Sequence, residues 1–142
     1  VAIAGATVLF AGTFAWRASA ADQAARGAQP PARPAARTTL SGIYTDAQAA
    51  KGEDTYYTLC IGCHPKSAYS GVSFKTNWVG KPLSELYDWV LNKMPKNDPG
   101  TLTPDESVEV IAYILKLNKM PAGQAPLAAN RTQLVRIRID LK

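Results

Sequence analysis

The chain has 142 residues, 46% hydrophobic and 19% charged, with a formal net charge of +5. The basic excess lies at the ends: residues 40–123 hold eight lysines against nine acidic residues, residues 1–39 four arginines and one aspartate, and residues 124–142 three arginines, one lysine and one aspartate. No basic stripe interleaved with aromatics appears, which excludes nucleic-acid binding.

In chain order, Val1 to Trp16 contains no charged residue. As a helix it would span about 24 Å, slightly under the roughly 30 Å hydrocarbon core of a bilayer. Residues 1–17 therefore read as a hydrophobic membrane anchor, completed by a few residues upstream of Val1. The other reading is the apolar part of an export signal, with Ala18-Ser19-Ala20 as its cleavage site. Either way the rest of the chain is exported. Residues 18–39 are rich in Ala, Pro and Arg and almost without large apolar side chains, which describes a tether stiffened locally by Pro30, Pro31 and Pro34.

Thr45-Asp46-Ala47-Gln48 has the form of a capping box, with Thr45 as N-cap and Gln48 reaching back, so a helix should start near Asp46 and run into Cys60. Gly52, Tyr56 and Cys60 recur every four residues and share one stripe of it. Next comes Cys60-Ile61-Gly62-Cys63-His64, which holds both cysteines and the only histidine. Two thiols one turn apart can add across the vinyl groups of a haem and leave the adjacent imidazole to ligate iron, so the string reads as a haem c attachment site. Three rivals are weaker. Structural zinc needs a fourth ligand, and no further Cys or His exists; a thioredoxin-like motif needs a βαβ context that the flanks lack; a plain disulfide is the remaining option.

Leu83, Leu86, Tyr87, Val90 and Leu91 have the spacing of an amphipathic helix, which should end near Asn92 because Pro95 disfavours αR geometry at Met94. With one histidine in the chain, the internal candidates for a sixth iron ligand are Met94 and Met120. Thr103-Pro104-Asp105-Glu106 is a second capping box with proline at the first helical position, opening a helix to Leu117. On it Val108, Ile111, Ala112 and Leu115 form an apolar stripe widened by Val110, Ile114 and Leu117. Met120 comes just after that helix and reads as part of its exit. Finally, Leu134 to Leu141 alternates apolar and polar residues as a one-sided strand. It could pair with a partner or fold back over its own domain.

From Gly42 to Gly123 the chain resembles the class I c-type cytochromes, in particular the haem domains that accompany bacterial periplasmic dehydrogenases and respiratory complexes. The resemblance rests on Gly52, Tyr56 and Cys60 before Cys63-His64, on Gly71 to Trp78, on Lys81 to Tyr87, on Met94-Pro95 and on Pro99-Gly100-Thr101-Leu102. It implies an all-α fold with three main helices around one covalent haem, in a domain spanning residues 40–123 and continued by a C-terminal extension at 124–142. Gly52 would admit the crossing of the last helix, whose aromatic would be Tyr113. Cys60 and Cys63 would bind haem c, His64 and Met94 the iron, and Trp78 a haem propionate, although Trp78 also suits a buried aromatic with another partner. One feature departs from the family: Ser67 to Gly71 lacks the proline whose carbonyl commonly accepts the second imidazole N–H, and Pro65 is a poor substitute.

The implied function is electron transport and not enzymatic: single electrons would pass between redox partners on the periplasmic side of the inner membrane. Those partners would be membrane complexes of a respiratory chain or photosynthesis (an oxidase, quinol oxidoreductase or reaction centre) or a periplasmic dehydrogenase. A tether raises the effective concentration of the domain near such complexes. The alternatives are a fixed subunit of a larger complex, a domain made soluble in the periplasm by signal cleavage, and a haem enzyme or gas sensor with an open distal site. Lys75, Lys81, Lys93 and Lys96 could steer docking, or simply form a solvated face balanced by Glu85 and Asp88.

Overall fold

The computed structural model describes residues 1–2 and 36–142. The anchor expected at 1–17 and the tether up to residue 35 thus lie, but for two residues, outside the described part. The chain divides into units Val1–Pro34 and Ala35–Lys142, and the second is the one described below. Among the described residues no helix is long and apolar enough to cross a membrane.

The unit is all-α apart from one small strand pair. Strand β1 (Arg37–Thr38) leads through a short 3₁₀ turn to α1 (Asp46–Leu59); then come α2 (Gly71–Trp78), α3 (Leu83–Lys93), α4 (Pro104–Leu117), α5 (Arg131–Leu134) and strand β2 (Ile137–Arg138). The three long helices, α1, α3 and α4, stand where periodicity and caps place them.

Helix α4 has the complete capping box: the Thr103 hydroxyl accepts from the Glu106 amide at 3.2 Å, and the Glu106 carboxylate accepts from the Thr103 amide at 2.8 Å. The Thr103 amide, and the Thr103 hydroxyl that donates to the same oxygen at 2.8 Å, hold the Glu106 carboxyl below the usual carboxylate range. At α1 the expectation needs correction. Thr45 caps the Gln48 amide, but the Gln48 side chain does not reach back. Its Nε2 donates to the Leu127 carbonyl at 2.9 Å and its Oε1 accepts from the Leu127 amide at 2.8 Å. A buried amide next to an unpaired peptide gains two bonds that way, against one at the helix start.

Helices α1 and α4 cross with their backbones in contact. A Cβ on Gly52 would fall on the main chain of Glu109 and Val110, so only glycine permits the approach. Beside it the rings of Tyr56 and Tyr113 pack at 5.2 Å between centroids. Along α4, Val108 and Val110 to Leu115 are all buried, as are Leu83, Leu86, Tyr87 and Val90 on α3.

The exit of α4 is a Schellman-type turn. Lys119, at φ 60°, takes the left-handed position usually given to glycine, with Lys119 N–H on the Lys116 carbonyl (2.9 Å) and Met120 N–H on the Leu115 carbonyl (3.1 Å). Met120 is buried in the core, as the reading of a helix exit requires, and its carbonyl accepts from the Tyr44 hydroxyl at 2.7 Å. Close by, the Gly123 amide donates to the Tyr44 carbonyl at 2.6 Å, and Gly123 approaches Gly42 so closely that a Cβ would fall on the Gly42 carbonyl.

Two segments differ from expectation. Gly71–Trp78 forms helix α2 although its Gly, Val, Ser and Thr are weak helix formers. Tertiary contacts hold it: Phe74 is fully buried, and Asn118 receives the Gly71 amide at 3.2 Å while donating to the Tyr69 carbonyl at 2.8 Å. The C-terminal residues fold back over their own domain, one of the two readings of the alternating segment, but the strand is shorter than its alternation suggests. Leu134 belongs to α5; only Ile137–Arg138 is strand, paired in parallel with Arg37–Thr38, so residues 37–39 belong to the compact unit and not to a tether. Leu127, Leu134, Ile137 and Ile139 are buried in the common core.

Candidate functional site

Helix α1 ends by delivering the string Cys60-Ile61-Gly62-Cys63-His64. The Cys60 amide still bonds to the Tyr56 carbonyl at 2.9 Å, and the turn closes with the Cys63 and His64 amides on the Cys60 carbonyl at 3.1 and 2.8 Å. Both thiols and the imidazole thus belong to one hydrogen-bonded turn. A further bond locks it: the Tyr56 hydroxyl donates to the His64 carbonyl at 2.6 Å. Burial, with the neighbouring Cys60, pushes the Tyr56 phenol up to about 12, so it stays protonated and remains a donor throughout the physiological range. The sequence placed Tyr56 on the stripe without revealing this bond; a tyrosine where phenylalanine would pack equally well is the signal that could have found it.

The His64 ring lies edge-on to Tyr69 at 5.2 Å between centroids. Both cysteines are free thiols, Cys63 exposed and Cys60 half-buried, and burial holds the Cys60 thiol above its ordinary value. Among the described residues no group of three His, Cys, Asp or Glu side chains is arranged to hold a metal ion.

Across from this turn, α3 ends at Lys93 and the chain turns extended at Met94 (φ −122°, ψ 150°), the conformation favoured for a residue that precedes proline. A cavity of about 600 Å³ lies between these segments, lined by Cys60, Cys63 and His64 from the turn, Tyr56 and Leu59 from α1, Tyr69, Met94 to Asn97, Leu102, and Val90, Val110 and Ile114 from α3 and α4. That volume falls within the range of small-molecule and cofactor sites. Of the five site residues named from sequence, the structure brings Cys60, Cys63, His64 and Met94 together here. Trp78 lies elsewhere. It lines a neighbouring, more open cavity of about 910 Å³ that shares His64 and Tyr69 with the first and adds Asn77, Lys81, Glu85, Asp88, Trp89, Asn92 and Lys93. The Lys81 ammonium stands 5.3 Å from the centre of the Trp78 ring and 3.7 Å from Glu85. Lys96 lines the first cavity, Lys81 and Lys93 the second.

No protein-family model matches the chain, and no curated protein or solved structure matches it significantly.

Proposed function

We propose that this chain is a mono-haem class I c-type cytochrome, membrane-tethered through residues 1–17, that carries single electrons between partners on the periplasmic side of a bacterial inner membrane. One observation carries the reading: two free thiols, the only imidazole and a thioether from a distant segment line one cavity whose other walls are largely apolar. That donor set suits haem c, which Cys60 and Cys63 would hold through thioether links and whose iron His64 and Met94 would hold. Haem c bound there supplies a one-electron iron couple. The chain's own part is to fix and shield. The turn at 60–64 orients the thiols and imidazole, Tyr56 holds His64 by its carbonyl, and Tyr69 packs against the ring. Pro95 keeps Met94 extended on the wall, while Val90, Leu102, Val110 and Ile114 give the cavity its apolar lining. With His64 and Met94 both holding the iron, no position would remain open for a substrate, which is why the reading is a carrier and not a haem enzyme.

The test is the mass of the full chain after export in a host that attaches haem, with denaturation and removal of loose pigment before measurement. One porphyrin should remain on the wild type and none on the Cys60→Ser, Cys63→Ser double variant. The oxidised protein should show a far-red iron–thioether charge-transfer band that Met94→Ala abolishes. A wild type without porphyrin mass overturns the proposal; one that lacks the band and binds carbon monoxide when reduced overturns the carrier in favour of an open-site haem protein.

A further inference from the structure

The resemblance to class I cytochromes stops at Gly123, yet residues 124–142 grip one helix of the body in particular. Helix α3 has Pro82 as N-cap, with no side chain capping its start. Its entry is held instead by the C-terminal segment: the Gly80 amide donates to the Ile139 carbonyl at 2.8 Å, and the Ile139 amide donates to the Lys81 carbonyl at 2.9 Å. Midway along α3, Asp88 receives a fork from Arg131, Nε at 3.1 and 2.9 Å to its two carboxylate oxygens and one terminal guanidinium nitrogen at 2.9 Å. Leu134, Ile137 and Ile139 fill the core shared with Leu83, Leu86 and Val90. The gripped helix is the one that puts Val90 into the cavity and, ending at Lys93, leads directly into Met94.

We infer that the C-terminal segment is a brace for the sixth ligand, with Arg131 and Asp88 as positioning residues that hold α3 and thereby keep Met94 seated in the cavity. The inference rests on the haem reading above. It gives residues 124–142 a role distinct from partner recruitment, since β2 already pairs with β1 and with residue Pro82 of the same chain. Because α3 leads into Met94 without an intervening loop, loosening the helix should raise the frequency with which the thioether leaves its seat. The fork has the bidentate geometry in which a guanidinium gives direction as well as charge. Its partners are about two-thirds and one-third exposed, so the effect should be modest.

The experiment titrates the oxidised full chain with imidazole and monitors loss of the far-red band. Arg131→Ala should lower the displacing concentration about three-fold, in the upper part of what an exposed ion pair supplies. The exchanged pair Asp88→Arg, Arg131→Asp should restore it. Lys116→Ala, which removes the comparably exposed bridge to Asp46 between α1 and α4 (3.0 Å), should leave it unchanged. Equal midpoints for wild type and Arg131→Ala, or an equal shift in Lys116→Ala, would overturn the brace while leaving the haem reading intact. A wild type without haem or without the band would overturn both, and the porphyrin mass tells these cases apart.

Discussion

At the crossing of α1 and α4 two backbones meet with nothing between them, whereas along residues 124–142 the chain holds the same body through buried apolar side chains and a few side-chain and main-chain bonds to distant positions. The crossing depends on an absence, the missing Cβ of Gly52 over Glu109 and Val110. The C-terminal wrap depends on added partners: Gln48 for Leu127, Asp88 for Arg131, Thr39 for Asp140. The first leaves no room for adjustment, because backbone cannot rotate away as a side chain can. The second can be weakened one bond at a time. Both serve the cavity, the crossing by setting where Tyr56 and Cys60 stand against Val110 and Ile114, the wrap by holding α3.

Substitutions on the two sides should separate these modes. Gly52→Ala has the largest expected effect, about 3 kcal/mol or more of lost stability from overpacking, measured by urea unfolding of the full chain with helical circular dichroism. A loss under about 1 kcal/mol would mean the helices can slide apart. Gln48→Leu keeps volume but strands the Leu127 amide and carbonyl, with an expected loss of about 1–3 kcal/mol and faster amide exchange at Leu127, while exchange within α4 tracks only the global change. The smallest effect belongs to the cap of α4. Glu106→Ala should lose about 1 kcal/mol at neutral pH. Because the folded carboxyl titrates below its ordinary value, its contribution is present above the unfolded value near 4.3 and is lost as pH falls through the lower folded one. Variant and wild type should therefore converge in acid. A difference that persists there would place the effect in packing rather than in the charged cap.

What the sequence made legible is what neighbours along the chain decide. Thr103 and Glu106 are three residues apart, the stripe Gly52, Tyr56 and Cys60 repeats every four, and Pro95 acts on the residue just before it, so α1, α3, α4 and the turn at 60–64 could be placed from spacing alone. The same local logic set Met94 at the end of a legible helix, but its choice over Met120 came from the family resemblance and not from spacing. Where two distant segments decide the outcome, the sequence is silent. Helix α2 exists because Asn118 holds its start at Tyr69 and Gly71 and the core takes Phe74, which its own residues do not announce. Gln48 satisfied the capping-box pattern and yet bonds to Leu127, since a buried peptide competes better for it than a solvated helix start does. Residues 37–39 have the polarity of a tether, and only their pairing with residues 137–140 makes them part of the body.

That pairing has a mechanical side. Strands β1 and β2 run parallel, with Arg37 opposite Ile137 and Thr38 opposite Arg138. Tension drawn backwards through Arg37 and forwards through Lys142 therefore acts along the strand axes in opposite senses, so the ladder bonds and the Thr39–Asp140 clasp (2.8 and 2.9 Å) are strained together rather than peeled in turn. A tug on one end of this unit is resisted in shear, close to where both ends leave it and away from the cavity that holds the thiols.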